Sequence, residues 1–194
     1  NWENLLDRAV TESNALRCGI EAAVFVSDRA EQELASLAKQ AAGKRARIAR
    51  WLVFHQNEAS TKERWIKLAR AHLKGAPVGS GTNQYFTELN RERPDPSWLD
   101  VACYSLNPQV HAFDNLSLAE NLSAQADTVA TARDFLGAKP IAITPVTLKP
   151  RFNPQAKVQP PVPPGTLPPR VDPRQLSLFG AAWTLGSIKY LAEA

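Results

Sequence analysis

The chain has 194 residues, about one domain's worth, with 44% hydrophobic and 22% charged residues. That balance excludes a disordered tail, a collagen-like repeat and a disulfide-stapled miniprotein. The net charge of +4 is mild and its Lys and Arg are scattered, apart from the short run Lys44, Arg45, Arg47 and Arg50, so no nucleic-acid partner is expected.

The elements follow in chain order. Trp2, Leu5, Leu6, Ala9 and Val10 suggest an opening helix. Ile20–Val26 is an apolar, β-branched run and reads as a buried strand. Asp28 with Glu31 reads as an N-cap pair, and the helix it opens closes at Gly43. Ile48–Phe54 is the second strand, and Ser60 with Glu63 predicts a capping box for a helix ending at Gly75. Ala76–Gly81 is a short, Gly-rich third strand, followed by an irregular stretch from Thr82 to Trp98. Val101–Leu106 is the fourth strand. Ser117 with Glu120 opens a helix whose stripe runs through Leu118, Leu122, Val129, Ala132 and Leu136 to Gly137. Ile141–Thr147 is the fifth strand. A loop holding eight of the 15 Pro comes next, over 152–176, and then an apolar helix, Leu178–Ala192.

Strands that alternate with helices and are nearly continuously apolar predict an α/β protein with a parallel sheet covered by helices. A doubly wound sheet and a (β/α)8 TIM barrel both fit. No GxGxxG or GxxxxGK[ST] supports the nucleotide-binding versions of the first. The barrel is the better fit, present as a partial barrel of about five βα units. The absence of Met and the abrupt ends suggest the central part of a single barrel domain in a longer polypeptide.

Barrel enzymes place their chemistry just after the strand C-termini. That rule selects His55, Gln56, Asn57 and Glu58 after the second strand and Thr82, Asn83 and Gln84 after the third. It adds Tyr104, Asn107 and His111 around the fourth, and Thr144, Thr147, Lys149 and Arg151 around the fifth. Glu58 is the sharpest candidate. A partly desolvated Glu there would have a raised pKa and serve as general acid or base. The alternative is that Glu58 only favours the positive end of the next helix. Tyr104 is either a substrate contact or a core aromatic with a satisfied hydroxyl. Ser27, Ser60 and Ser117 stand where caps belong and are not read as nucleophiles. No HxH or HExxH spacing supports a metal, and no cofactor is expected. Cys18 and Cys103 lack CxxC spacing and read as reduced, buried thiols. No run is long enough for a membrane span and no signal peptide is visible, so a cytoplasmic, membrane-free protein is expected.

The run Trp51–Glu58 resembles the fourth strand of the Asn-Glu clan of (β/α)8 retaining glycosidases, whose Asn-Glu pair supplies the acid/base. Ser105–Phe113 resembles that clan's sixth strand and Ile141–Thr144 its seventh. There the clan carries a nucleophilic Glu, whereas here Pro145 follows Thr144 and no carboxylate stands between Lys139 and Val171. Double displacement needs two carboxylates roughly 5 Å apart. A closer resemblance is to the D-apionate lactonase family of apiose catabolism. It is carried by Ser105–Asp114, Pro145–Pro154 and Asp172–Thr184, together with the Asn-Glu strand. In that frame the chain covers strands three to seven. The implied reaction is hydrolysis of D-apionolactone to D-apionate, with a small sugar lactone as the partner. Glu58 would activate water or handle the leaving-group proton. His55, Asn57, Asn83, Tyr104, Asn107, His111 and Thr144 would surround the substrate, and Arg151 would hold the product carboxylate. The competing expectations are a glycosidase whose nucleophile lies elsewhere and a noncatalytic carbohydrate-binding barrel.

Overall fold

The computed structural model describes residues 2–151 and 161–194. Five parallel strands form one curled sheet in chain order: β1 (Ile20–Val26), β2 (Ile48–His55), β3 (Val78–Tyr85), β4 (Ala102–Leu106) and β5 (Ile141–Val146). Helices alternate with them: α1 (Trp2–Leu16), α2 (Ala30–Gly43), α3 (Glu63–His72), α4 (Phe86–Glu92), α5 (Asn115–Glu120), α6 (Ala124–Leu136) and α7 (Leu178–Glu193). Sequential parallel neighbours joined by helices are the barrel arrangement and not the doubly wound one, in which the strand order reverses. The part of the Pro-rich loop over 152–160 lies outside the described residues. No helix among the described residues is long and apolar enough to cross a membrane.

Side chains alternate across each strand, and the packing separates the two faces. Trp51 and Val53 of β2, with Ala102 and Tyr104 of β4, pack outward against Leu34, Ile66, Leu89, Ala132 and Leu136 of the helices. Leu52 and Phe54 turn to the concave face, where Cys103 and Ala142 meet them. Phe25 joins that face, its ring 5.3 Å from the Phe54 ring. At the opposite end of the same face Glu21 and Arg50, partners in register, form an ion pair at 3.3 Å.

Close backbone approach explains the glycines of β3. A Cβ on Gly79 would lie 2.5 Å from the Val101 carbonyl oxygen, so β3 and β4 would have to splay. Gly79→Ala is expected to destabilise the protein by ~1–3 kcal/mol, the usual cost of overpacking, read as a lower Tm at unchanged helical content.

Several local expectations are corrected. β3 runs on to Tyr85, and a short helix and a 3-10 turn (Pro96–Trp98) occupy the stretch expected to be irregular. The polar end of β3 is held by hydrogen bonds in place of apolar packing: Thr82 Oγ1 donates to the Ala59 carbonyl at 2.6 Å. The three predicted caps fail. Ser60 does not cap α3; its hydroxyl reaches the Gly81 carbonyl at 2.9 Å. Ser27 and Glu33 bond each other before α2, where Asp28 makes no cap. Asp114, and not Ser117, caps α5 by accepting the Ser117 N–H at 2.9 Å. The helix expected over 117–136 is two helices broken after Glu120, with the apolar stripe continuing across the break. Cys103 is buried as expected, but Cys18 is exposed.

Candidate active site

The loop after β2 carries the sharpest sequence candidates, and β3 holds it in place. Besides the Ser60 and Thr82 bonds, the Thr61 N–H donates to the Gly81 carbonyl at 3.1 Å. Thr61 Oγ1 in turn accepts the His55 N–H at 3.2 Å. The turn bearing Asn57 and Glu58 is therefore fixed from both sides.

His55 follows the helix-facing parity of β2, so its ring lies behind the sheet. It is 5% exposed and stacks on the Trp65 indole of α3, with ring centroids 4.5 Å apart and 7° between planes. Nδ1 accepts the Asn57 N–H at 3.4 Å. Nε2 faces Asp28 Oδ1 at 3.4 Å without a well-formed hydrogen bond.

Glu58 touches the same indole from the side. Its Oε1 accepts Trp65 Nε1–H at 3.0 Å and Arg64 Nη2 at 3.1 Å, and its Oε2 accepts the Lys62 N–H at 2.9 Å. The side chain is 14% exposed. Burial pushes its pKa up, but the bonds from Trp65, Lys62 and Arg64, with His55 nearby, outweigh burial and hold the carboxyl below its usual value. This corrects the expected upward shift. Charge-assisted donors favour the anion more than partial desolvation penalises it. The Lys62 N–H lies just before α3, so Glu58 also meets the positive end of that helix. Glu33 behaves alike: burial raises it, and the Ser27 hydroxyl and N–H pull it below normal.

A second cluster joins the ends of β3 and β5. Arg151 Nη2 donates to the Asn83 carbonyl at 3.1 Å and to Asn83 Oδ1 at 3.0 Å, so two residues 68 positions apart meet. Burial lowers the Arg151 pKa, and Tyr85 opposes that shift. Ser105 of β4 donates to the Gln84 carbonyl beside this pair. Thr144 is half-buried within β5, before a cis bond to Pro145.

Three further candidates have different surroundings. Tyr104 is 0% exposed in the helix-facing core, edge-on to Phe86, and its hydroxyl bonds Thr128 Oγ1 at 2.7 Å. Of its two readings, this is the surroundings of a core aromatic. Asn107 is half-buried with Oδ1 shielded and unpaired, and His111 is exposed. Both line a cleft of about 680 Å³ with Tyr85 and Gln125.

Sequence reasoning missed a buried polar clasp at this end of the barrel. Gln109 Nε2 donates to the Leu148 carbonyl and to Asp172 Oδ2, both at 2.6 Å. Asp172 also takes a two-pronged bond from Arg174, Nε to Oδ1 at 2.9 Å and Nη2 to Oδ2 at 2.7 Å. Arg174 Nη1 reaches the Phe113 carbonyl at 2.9 Å. The Arg174 and Gln109 bonds together hold the Asp172 carboxyl far below the usual carboxylate range, against burial. Trp65 was legible only as part of an apolar helix face. Asp172 and Arg174 stood out only as a shared sequence run.

A family model described as D-apionate lactonase, TIM barrel domain, matches residues 1–194. A D-apionate lactonase of Brucella anthropi is 40% identical over 86 residues, a stretch that is 44% of this chain and 14% of that relative. No solved structure matches.

Proposed function

Because the chain belongs to the D-apionate lactonase family, we propose that it supplies strands three to seven of a cytoplasmic barrel enzyme that hydrolyses D-apionolactone to D-apionate. One observation carries this reading over a glycosidase: Glu58 is held ionised by three donors. A retaining glycosidase needs a protonated acid at that position and a second carboxylate across the bond. Hydrolysis of a lactone needs a base for water, donors for the oxyanion and a proton for the ring oxygen.

The chemistry balances in two steps. Glu58 takes a proton from water as the water oxygen bonds to the lactone carbonyl carbon. The carbonyl π electrons move to oxygen, where Arg151 and Asn57 stabilise the charge. The tetrahedral intermediate then collapses and the acyl–oxygen bond to the ring oxygen breaks. The proton on Glu58 passes to that oxygen, which leaves as a hydroxyl. The product is the open acid, and its carboxylate stays beside Arg151. Asn83 orients Arg151, and Thr144 borders the substrate. His55 works from behind the sheet as a positioning residue, since its ring braces the Trp65 indole that holds Glu58. Tyr104 supports the same end of the barrel from the core through Thr128.

The pH dependence tests this reading. A base whose pKa is lowered stays ionised as pH falls, until the pH passes below its ordinary value of about 4.3. The full-length protein is therefore expected to show kcat/KM for the lactone flat between about pH 5 and 7, after subtraction of the spontaneous rate, with loss only below the ordinary carboxylate range. An acid limb centred near pH 6 that persists when His55 and His111 are each replaced by Gln would require a carboxyl with a raised pKa and would contradict Glu58 as described.

A further inference from the structure

We propose that the cleft between α4, the exit of β4 and the first turn of α6 receives the hydroxyl groups of a neutral sugar lactone, with Asn107 Oδ1 and Gln125 Oε1 accepting them. The inference rests on the lactonase reading for the ligand's identity and deepens it by assigning where the hydroxylated part of the ligand is recognised.

Among the described residues, four buried side-chain nitrogen or oxygen atoms have no hydrogen-bond partner in the protein, and two of these are Asn107 Oδ1 and Gln125 Oε1. They come from different elements, yet both residues line the same cleft of about 680 Å³. That size falls within the roughly 300–1,000 Å³ range of small-molecule pockets. A shielded, unpaired acceptor carries an uncompensated desolvation cost, so two of them around one cleft call for donors that the fold itself does not supply. Gln125 is only 4% exposed. Its amide is oriented by Nε2, which donates to Ser187 Oγ of α7 at 3.0 Å, and its oxygen is left shielded and without a partner in the protein.

The remaining groups select the ligand's character. Two acceptors ask for O–H donors, as sugar hydroxyls are, and not for a carboxylate or a phosphate. The charges at the rim cancel, with Arg91 Nη1 3.7 Å from Glu88 Oε1 and Glu88 Oε2 accepting the Tyr85 N–H at 3.1 Å. An anion would gain little there. Phe86 and Leu106 add apolar wall for the C–H faces of a sugar ring. The cleft adjoins the Asn83–Arg151 pair through Tyr85, which feels the Arg151 charge. A ligand seated by its hydroxyls in the cleft would thus have the reacting carbonyl side open toward Arg151.

The test uses the full-length protein and two probes, xylitol and D-ribono-1,4-lactone, followed by ligand-observed NMR and calorimetry. Two variants remove the acceptors: Asn107→Leu, and Gln125→Leu paired with Ser187→Ala so that the Ser187 hydroxyl is not stranded. The expected result is that both probes bind the parent protein and that each variant weakens binding by about tenfold or more. Tm should change little in either variant, because Asn107 Oδ1 is unpaired in the free protein and the Gln125–Ser187 bond is removed from both sides at once. Weakened binding at unchanged Tm supports the cleft even if the parent hydrolyses no lactone, an outcome that would refute only the lactonase reading. Unchanged binding in both variants, or no binding of either probe to the parent, overturns the cleft and leaves lactone hydrolysis to stand on its own assay.

Discussion

Replacing Glu58 by Gln in the full-length protein is expected to lower kcat for lactone hydrolysis by about 10²–10⁴-fold, the usual contribution of a positioned acid–base group. The substitution is nearly isosteric. Its amide oxygen can still accept from Trp65 Nε1 or the Lys62 N–H, so the turn after β2 keeps most of its support. What is lost is the negative charge and, with it, the ability to take a proton from water. Arg64 loses its ion pair, but its side chain is 68% exposed and such pairs contribute only about 0–1 kcal/mol. The variant should therefore fold with a Tm close to the parent's and bind substrate while failing to turn it over. A rate within about threefold of the parent would correspond to less than 1 kcal/mol of barrier and would reduce Glu58 to a brace for the start of α3.

The largest effect on stability is expected at Asp172. Its side chain is 1% exposed, against 23% for Arg174. Asp172→Ala would strand the Gln109 amide and leave the Arg174 guanidinium without its two-pronged partner. Breaking a buried pair by removing one member costs about 3–5 kcal/mol, most of it from the uncompensated groups left behind. A Tm drop of many degrees is expected, with the urea midpoint falling in parallel. Asp172→Asn keeps the shape and an acceptor and should lose less. The pH dependence has a definite sign. The folded pKa lies far below the unfolded one, so this stabilisation is fully present above the ordinary carboxylate range. It is lost as pH falls through the folded value. Equal stability of the alanine variant and the parent at neutral pH would show that the clasp holds nothing.

The barrel was legible because four of its five strands are largely apolar on both faces, as a parallel sheet between helices and a packed interior requires. β3 escaped that pattern. Its glycines answer to the backbone of β4, and its end from Thr82 to Tyr85 is held by hydrogen bonds, so hydropathy stops short of its length. The caps were misread because Ser27 and Ser60 have better partners than the helix ends near them, Glu33 and the Gly81 carbonyl. Glu58 was legible from its place after a strand, but the sign of its pKa shift was not. That sign depends on which way Trp65 and Arg64 turn on the following helix. His55 and Tyr104 share a lesson of parity. Both sit near strand C-termini, yet alternation sends their side chains to the helix layer and not to the concave face. Asp172 lies 63 positions from Gln109, so their bond has no local sequence signal.

The claim that the barrel end opens a lactone is tested most directly by incubating the full-length protein with D-apionolactone and, separately, with aryl glycosides. Acid release is followed in a pH-stat and aglycone release by absorbance. One equivalent of acid per lactone consumed is expected, well above the spontaneous rate, with no aglycone. Aglycone release without lactone opening would contradict it and return Glu58 to a glycosidase role.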